Sequence, residues 1–254
     1  MFKALKARLF QGFRTGSFPD KAPVLPPDFA GRPVLGEVAS CRQCGQCKSI
    51  CPANAVKFGE IGGNAEIDLG KCIFCRECEE ICPAGAITFT KEYRMAVMSR
   101  ENLVAKNGEI YSPQRPTDRE FLKFCGKSLK IRQISAGGCA ACELDFNVLN
   151  TLAWDMGRFG IQVVASPRHA DCILITGPVS DNMLLALKKG IEAAPRPLWI
   201  IASGTCAISG GIYADSPVCR GGVEEIIKPD LYIPGCPPHP AVILEGILRL
   251  MDRK

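Results

Sequence analysis

Short apolar runs rich in β-branched residues recur through the second half of the chain, with segments of helical character between them. Five of these runs are predicted to be strands: Leu129–Ser135, Ile161–Ala165, Cys172–Thr176, Leu198–Ala202 and Leu231–Pro234. Strands that alternate with helices pair in parallel and are covered on both faces. Residues 129–254 are therefore predicted to form an α/β domain with a doubly wound parallel sheet.

The first 35 residues have a different pattern. Between residues 1 and 13, apolar side chains stand at helical spacing with basic side chains among them: Phe2, Leu5, Leu9 and Phe13, and Lys3, Lys6 and Arg8. This predicts a short basic amphipathic helix that lies on a membrane surface or on a partner. Five prolines between Ser17 and Pro33 then disfavour regular structure and indicate an extended strap along a neighbouring surface.

Residues 41–58 realign with residues 72–89, and nine of the eighteen positions are identical. Each copy carries the spacing C-x2-C-x2-C-x3-C-P, which holds [4Fe-4S] clusters in bacterial two-cluster ferredoxins, where the fourth Cys binds the other cluster. Residues 36–95 are therefore predicted to form an α+β ferredoxin domain of the bacterial two-[4Fe-4S] type. One predicted ligand set is Cys41, Cys44, Cys47 and Cys82, and the other is Cys51, Cys72, Cys75 and Cys78. Zinc sites are the alternative, but duplicated four-Cys runs favour clusters.

Composition agrees with metal binding and with two domains. The chain has 254 residues and 15 cysteines, most of them in tight C-x-x-C spacings that suit metal ligation better than disulfide pairing. This length is enough for two compact cores. Residues 96–128 show little periodicity, and Pro113 and Pro116 interrupt helix formation there, so this segment is predicted to be a linker with some helix at either end.

Charge and hydropathy limit where the protein works. The net charge of +5 is modest and concentrates between Lys91 and Arg132, which favours a solvated linker or a partner-docking surface over nucleic-acid binding. The first residues lack the apolar run of a signal peptide, and no segment approaches the roughly 18 apolar residues of a membrane-spanning helix. Thiolate-bound clusters are usually kept in reducing compartments. We therefore expect a cytoplasmic protein with peripheral membrane contact.

Cysteines also follow three of the predicted strands. Cys139 and Cys142 come after the first strand, Cys206 after the fourth and Cys236 after the fifth, all in glycine-rich loops. In a flavodoxin-like α/β domain with a parallel sheet, such loops carry the functional groups at the carboxyl ends of the strands. Glycine allows close backbone approach and leaves N–H groups for cluster sulfurs. A third four-Cys site is therefore predicted.

The remaining thiols have plainer interpretations. Cys172 alternates within a buried strand and is predicted to be a small core residue. Cys125 and Cys219 lack a partner at ligand spacing and are predicted to be ordinary residues.

Specific predictions also apply to two acidic residues and to the two histidines of the chain. Glu143 and Asp145 directly follow the C-x2-C pair and are candidates for a proton relay; the alternative is that they are acids favoured at a helix N-terminus. His169 is expected on the surface, and His239, in the Cys236 loop, is a candidate for a partner interface.

The front half, over about residues 1–100, resembles the polyferredoxin subunit of formate hydrogenlyase and the two-cluster subunit of respiratory complex I. The likeness is carried by KCIFCRECEEICPAGAI and by EYRMAV. The Cys-rich tail of the formate hydrogenlyase subunit is absent here, and a different domain follows.

Residues 129–254 resemble the small subunit of membrane-bound, energy-converting [NiFe] hydrogenases and its 20 kDa relative in complex I, at GTCAISGG and PGCPPHPAVILEGIL. The chain thus resembles a fusion of two subunits. The resemblance implies that a proximal [4Fe-4S] cluster faces a nickel-containing large subunit and has four ligands: Cys139, Cys142, Cys206 and Cys236. It also implies that this chain has no catalytic centre of its own.

The resulting hypothesis is an electron-transfer subunit with three [4Fe-4S] clusters in a membrane-associated [NiFe] hydrogenase complex. Its expected partners are the large subunit, membrane subunits, and a donor such as ferredoxin, a formate dehydrogenase or a CO dehydrogenase module. The alternatives are a complex I-like quinone oxidoreductase module and a free-standing soluble carrier. The resemblance favours hydrogenase, because the complex I thiols are adjacent in sequence whereas Cys139 and Cys142 are separated by two residues.

Overall fold

Two small antiparallel sheets and two one-turn helices form the ferredoxin half. The computed structural model describes residues 2–12, 15–36, 41, 43–58, 65–108, 111–113 and 119–253. The first elements are α1 (Phe2–Gln11), β1 (Pro33–Leu35), α2 (Gln46–Ile50), β2 (Val56–Phe58), β3 (Ala65–Asp68), α3 (Glu77–Glu80), β4 (Ile87–Phe89) and β5 (Val104–Lys106). Strand β1 pairs with β4, and β3 pairs with both β2 and β5. The α2–β2 and α3–β4 units occupy corresponding positions of the two sequence copies.

The back half is built on a parallel sheet. Its elements are α4 (Arg119–Cys125), β6 (Leu129–Ser135), α5 (Ala141–Val148), β7 (Ile161–Val163), β8 (Cys172–Thr176), α6 (Asp181–Ala193), β9 (Trp199–Ser203), α7 (Thr205–Ser209), β10 (Leu231–Ile233) and α8 (Pro240–Leu250). The strand order is β10-β9-β8-β6-β7, with every pair parallel. All residues of β8, β9 and β10 are buried, as expected for a sheet covered on both faces. The five predicted strands and the parallel sheet are confirmed.

A hydrophobic cluster connects the two halves. A single cluster of buried side chains runs from Ile67 and Phe89 of the ferredoxin half to Ile173 and Ile200 of the parallel sheet. A second cluster covers the other face of the sheet, where α8 contributes Val242 and other buried residues. Because the first cluster crosses the boundary, the halves pack as one body along that face.

The segment predicted as a linker, residues 96–128, contains a strand that the sequence did not predict, and helix α4 lies near its end, where some helix was expected. Val97 forms an isolated antiparallel bridge with Tyr232 of β10, and β5 is the third strand of a ferredoxin sheet. Helix α4 packs into the back half, where Phe121 meets Trp199 with ring centroids 4.7 Å apart. A three-residue strand is too short to produce a recognisable alternation, so the sequence pattern did not reveal β5.

Residues 15–36 run as an extended strap that touches both halves. Phe18 is buried and packs edge-on against Trp154, with centroids 5.6 Å apart. The Arg158 guanidinium donates to the carbonyls of Gly16 and Phe18 at 2.9 and 2.6 Å. Farther along, the Lys91 ammonium donates to the carbonyls of Pro26, Pro27 and Phe29. These contacts fix a segment that has little hydrogen bonding of its own.

Helix α1 has no buried residue. The apolar side chains of Phe2, Leu5, Leu9 and Phe10 are all exposed, and Phe13 lies outside the described residues. Within the part of the chain that the structure describes, no helix has the length and apolar character needed to cross a membrane.

Removing the Phe18 ring should release the strap. Phe18→Ala takes away a side chain that is 5% exposed and should cost about 3 kcal/mol of packing. Local opening then becomes more frequent, so tryptic cleavage after Lys21 should accelerate by about a hundredfold. Val24→Ala is the control, because Val24 is 99% exposed. Equal cleavage rates in both variants would contradict the anchoring role of Phe18.

Candidate iron-sulfur sites

The eight ferredoxin cysteines fall into two groups of four. One cavity is lined by Cys41, Cys44, Cys47 and Cys82. A second cavity is lined by Cys51, Cys72, Cys75 and Cys78. Each group takes three thiols from one sequence copy and one from the other, as the motif spacing predicts. Apolar side chains such as Leu35 and Ile67 complete the walls.

Backbone N–H groups donate to several of these sulfurs. The N–H of Ala55 lies 3.3 Å from Cys51 Sγ, and that of Ala86 lies 3.3 Å from Cys82 Sγ. Both alanines stand four residues after the fourth Cys of their copy, so the duplication repeats the contact. Phe74 N–H donates to Cys72 Sγ, also at 3.3 Å. Such donors stabilise negative charge on a sulfur that binds a cluster.

Burial makes these thiols hard to ionise by themselves. Burial raises the pKa of Cys78 to about 12, with repulsion from Cys51 and Cys75 adding to the effect. Burial raises the pKa of Cys72 further. Thiols of this kind become thiolates when a cationic group displaces their protons. Among the described residues, no set of three or more His, Cys, Asp and Glu side chains is arranged to hold a single metal ion.

A third group of cysteines lies at the carboxyl ends of the parallel strands. Cys139 lies in the loop between β6 and α5, Cys142 lies in the first turn of α5, and Cys206 lies in α7, after β9. Cys236 follows β10. The Cys142 sulfur lies against the backbone of Gly204, where a Cβ atom would come within 2.6 Å of it. Glycine at this position, with φ of 91°, is therefore what allows the sulfur to approach the loop before Cys206.

The four thiols of this group interact electrostatically. Burial raises the pKa of Cys206 to about 11, and repulsion from Cys236 and Cys139 adds to it. The pKa of Cys142 is also raised, first by burial and then by Glu143 and the other thiols. Cys139 and Cys236 are exposed, so this group opens to solvent on one side. The donor set and its closeness fit a four-thiolate cluster.

One turn of α7 docks on the loop that leads to Cys72. Thr205 Oγ1 donates to the Cys72 carbonyl at 2.8 Å, and Ser209 Oγ donates to the Gly70 carbonyl at 2.7 Å. Gly70 has no room for a side chain, since a Cβ atom would lie 2.9 Å from Ile208 Cγ2. Sequence reasoning missed Thr205, because a single hydroxyl at the start of a five-residue helix carries no periodic signal.

Comparison with known proteins agrees with this division of the chain. Residues 40–86 match the model of a 4Fe-4S dicluster domain, and residues 139–250 match the model described as NADH ubiquinone oxidoreductase, 20 Kd subunit. The probable membrane-bound hydrogenase subunit mbhJ of Pyrococcus furiosus is 36% identical over 134 residues, which are 53% of this chain and 80% of that protein. The chain belongs to the family of the 20 kDa subunit of NADH ubiquinone oxidoreductase.

Two further relatives of this 20 kDa family are similar over comparable lengths. An NADH-quinone oxidoreductase component from Citrifermentans bemidjiense is 43% identical over 46% of this chain and 68% of that protein. Formate hydrogenlyase subunit 7 of Escherichia coli is 40% identical over 53% of this chain and 54% of that protein. With its dicluster domain, this member of the 20 kDa family is an electron-transfer component of an oxidoreductase complex.

The three cysteines outside these groups lie in different surroundings. Cys125 and Cys172 are almost fully buried among apolar side chains. Cys219 is half-buried, and its charge contributes to the raised pKa of Cys206. Its position beside the third cysteine group was not foreseen; that it is an ordinary residue stays a prediction.

The two candidate relay acids face different surroundings. Glu143 Oε1 accepts from the Thr176 hydroxyl at 2.6 Å, at the end of β8. Asp145 lines a cavity together with Cys236 and His239, and burial raises the pKa of its carboxyl. A carboxyl that stays protonated more readily suits proton transfer.

The two histidines also differ in their surroundings. His239 Nδ1 accepts from the Ala241 N–H at 3.1 Å and so caps α8. Its ring packs against Phe29 and Trp154. His169 is exposed.

Replacing Cys206 should remove one cluster, whereas replacing Cys219 should not. Cys206→Ser removes one of four converging thiols and should lower the iron content by about four atoms per chain. Cys219→Ser is the matched control, since it changes a neighbouring thiol outside the predicted set, and Cys125→Ser and Cys172→Ser extend the comparison. Iron and labile sulfide analysis gives the result. A whole cluster lost from Cys219→Ser would show that the ligand set is wrong.

Proposed function

We propose that the chain is the electron-relay subunit of a membrane-associated [NiFe] hydrogenase and carries three [4Fe-4S] clusters. The observation that carries this proposal is the position of the third cysteine group, between the docked ferredoxin loop and an open surface. When bound, the clusters accept and release single electrons. The chain's own residues bind the clusters, fix their sequence along the electron path and place the last cluster beside a partner subunit.

The proposed ligands are the three groups of four thiols described above. Cys51 and Cys82 cross between the copies, and the N–H groups of Ala55 and Ala86 support them. The back-half group occupies the carboxyl edge of a sheet that we propose to be flavodoxin-like, since its strands, numbered from β6, follow the order 2-1-3-4-5.

The order of the sites follows from contacts between their loops. Cys78 of the second ferredoxin group is influenced by the charge of Cys47 in the first, and α2 packs on α3. Cys72 of the second group accepts the Thr205 hydrogen bond from α7, which also holds Cys206. The second ferredoxin group is therefore the middle site, and the first is the site for an external donor: ferredoxin, a formate dehydrogenase or a CO dehydrogenase module.

The open side of the third group suits a large catalytic subunit. Cys139 and Cys236 are exposed there. Large apolar side chains close in sequence to the ligands are also exposed, with Leu144 at 64%, Ile212 at 53% and Tyr213 at 42%. Exposed apolar side chains next to a functional site are typical of a protein interface. Asp145, whose carboxyl has a raised pKa, and Glu143 are the proton-relay candidates on this side.

A quinone-reducing module is the second candidate. The identity of 43% with the NADH-quinone oxidoreductase relative from Citrifermentans bemidjiense favours it. The separation of Cys139 and Cys142 by two residues favours a hydrogenase subunit, because the corresponding thiols of complex I are adjacent in sequence.

The metal content of the native complex distinguishes these functions. Affinity purification of the full chain under anaerobic conditions should bring down a large subunit that contains nickel, and the complex should interconvert protons and dihydrogen. The chain alone should hold about twelve irons. A nickel-free complex that reduces quinone would overturn the hydrogenase assignment, and about eight irons would overturn the three-cluster assignment.

Helix α1 is proposed to hold the complex against the inner face of the membrane. Deleting residues 2–12 should reduce sedimentation of the full chain with anionic vesicles, because exposed apolar side chains and Lys3, Lys6 and Arg8 are lost together. The iron content should not change, since α1 provides no thiol. Vesicles of zwitterionic lipid serve as the control. Unchanged sedimentation with anionic vesicles would contradict a membrane role.

A further inference from the structure

Thr205 lies where the loops of two cysteine groups meet. The residue is 1% exposed. Its N–H donates to the Gly235 carbonyl at 2.9 Å, and its hydroxyl oxygen lies 2.8 Å from the Cys72 carbonyl and 3.1 Å from that of Gly235. A hydroxyl has one proton to donate. The Cys72 carbonyl is the nearer of the two acceptors, so the shorter contact assigns the proton to Cys72.

The Thr205 hydroxyl connects the second ferredoxin group to the third cysteine group through one hydrogen bond and a few covalent bonds. Cys72 belongs to the second ferredoxin group, and its carbonyl is the acceptor. Thr205 is bonded to Cys206, and Gly235 is bonded to Cys236, both of the third group. The shortest bonded route between the two groups among the described contacts therefore passes through the Thr205 hydroxyl.

We propose that Thr205 is a positioning residue that sets the electronic coupling between the second ferredoxin site and the third site. The inference rests on the proposed three-cluster function. Electronic coupling falls less steeply along covalent and hydrogen bonds than across a van der Waals gap. Without the hydroxyl, the direct approach from Thr205 to the Cys72 carbonyl crosses such a gap, and the hydrogen bond that remains between α7 and this loop, from Ser209 to Gly70, gives a longer bonded route.

Ser209 provides a matched comparison. It lies one turn later on α7, and its hydroxyl donates to the Gly70 carbonyl at 2.7 Å. Thr205 and Ser209 therefore make the same kind of contact with the same loop. Only the Thr205 contact ends on a proposed ligand, so docking and coupling are separable by mutation.

The test compares Thr205→Val, Thr205→Ser and Ser209→Ala in the full, cluster-loaded chain. Each protein is checked for iron content and for the midpoint potentials of its clusters. One electron per chain is then introduced by photoreduced deazaflavin, and its redistribution between clusters is followed by rapid freeze-quench electron paramagnetic resonance. We expect Thr205→Val to keep its irons and potentials and to redistribute the electron several-fold more slowly. Thr205→Ser and Ser209→Ala should match the unmodified chain.

Each of the other outcomes contradicts one part of the proposal. Equal rates in Thr205→Val and the unmodified chain would remove the coupling role, as would an equal slowing in Ser209→Ala, which would indicate general docking. Loss of a cluster from Thr205→Val would show that the hydroxyl maintains the ligand loop itself. An unmodified chain without a third cluster would overturn the proposed function together with this inference.

Discussion

The docking of α7 against the loop before Cys72 is the contact on which the arrangement of the three cysteine groups depends. Two hydroxyls of α7 donate to backbone carbonyls of that loop. Beside them, Arg100 makes a two-point ion pair with Asp68, at 2.8 and 2.6 Å. The Asp68 carboxylate also accepts the Gly70 N–H. Since charge-assisted pairs with two contacts fix orientation as well as distance, this pair holds the shape of the ferredoxin loop on which α7 docks.

Gathering thiols in buried positions imposes a second constraint. Burial raises the pKa of the inner thiols in all three groups, and neighbouring thiols raise it further. Ionised together without a counter-charge, they would repel one another in surroundings that screen charge poorly. Binding of the proposed clusters would remove this penalty, so the folding of the loops that hold the thiols would be coupled to cluster binding. The exposed thiols, such as Cys44 and Cys139, lie where solvent lowers the cost.

The parts of this molecule that could be predicted from sequence are those with a repeating signal. Buried strands such as β8 appear as apolar runs, and the ferredoxin cysteines appear in a duplicated spacing. The parts that escaped prediction depend on contacts between distant residues. Strand β5 is defined by its pairing with β3, and Thr205 is important because Cys72, 133 positions away, accepts its hydrogen bond. Neither contact leaves a local pattern.

Joining both domains in one chain changes what determines the distance between cysteine groups. The hydrogenase relative from Pyrococcus furiosus matches over 80% of its own length but over only 53% of this chain, so the present chain contains much more than the shared region. Two separate proteins lose translational and rotational freedom when they associate. Here the hydrophobic cluster that spans Ile67 and Ile173 forms during folding. The spacing between the second and third groups is therefore a property of the folded chain and does not depend on subunit concentration.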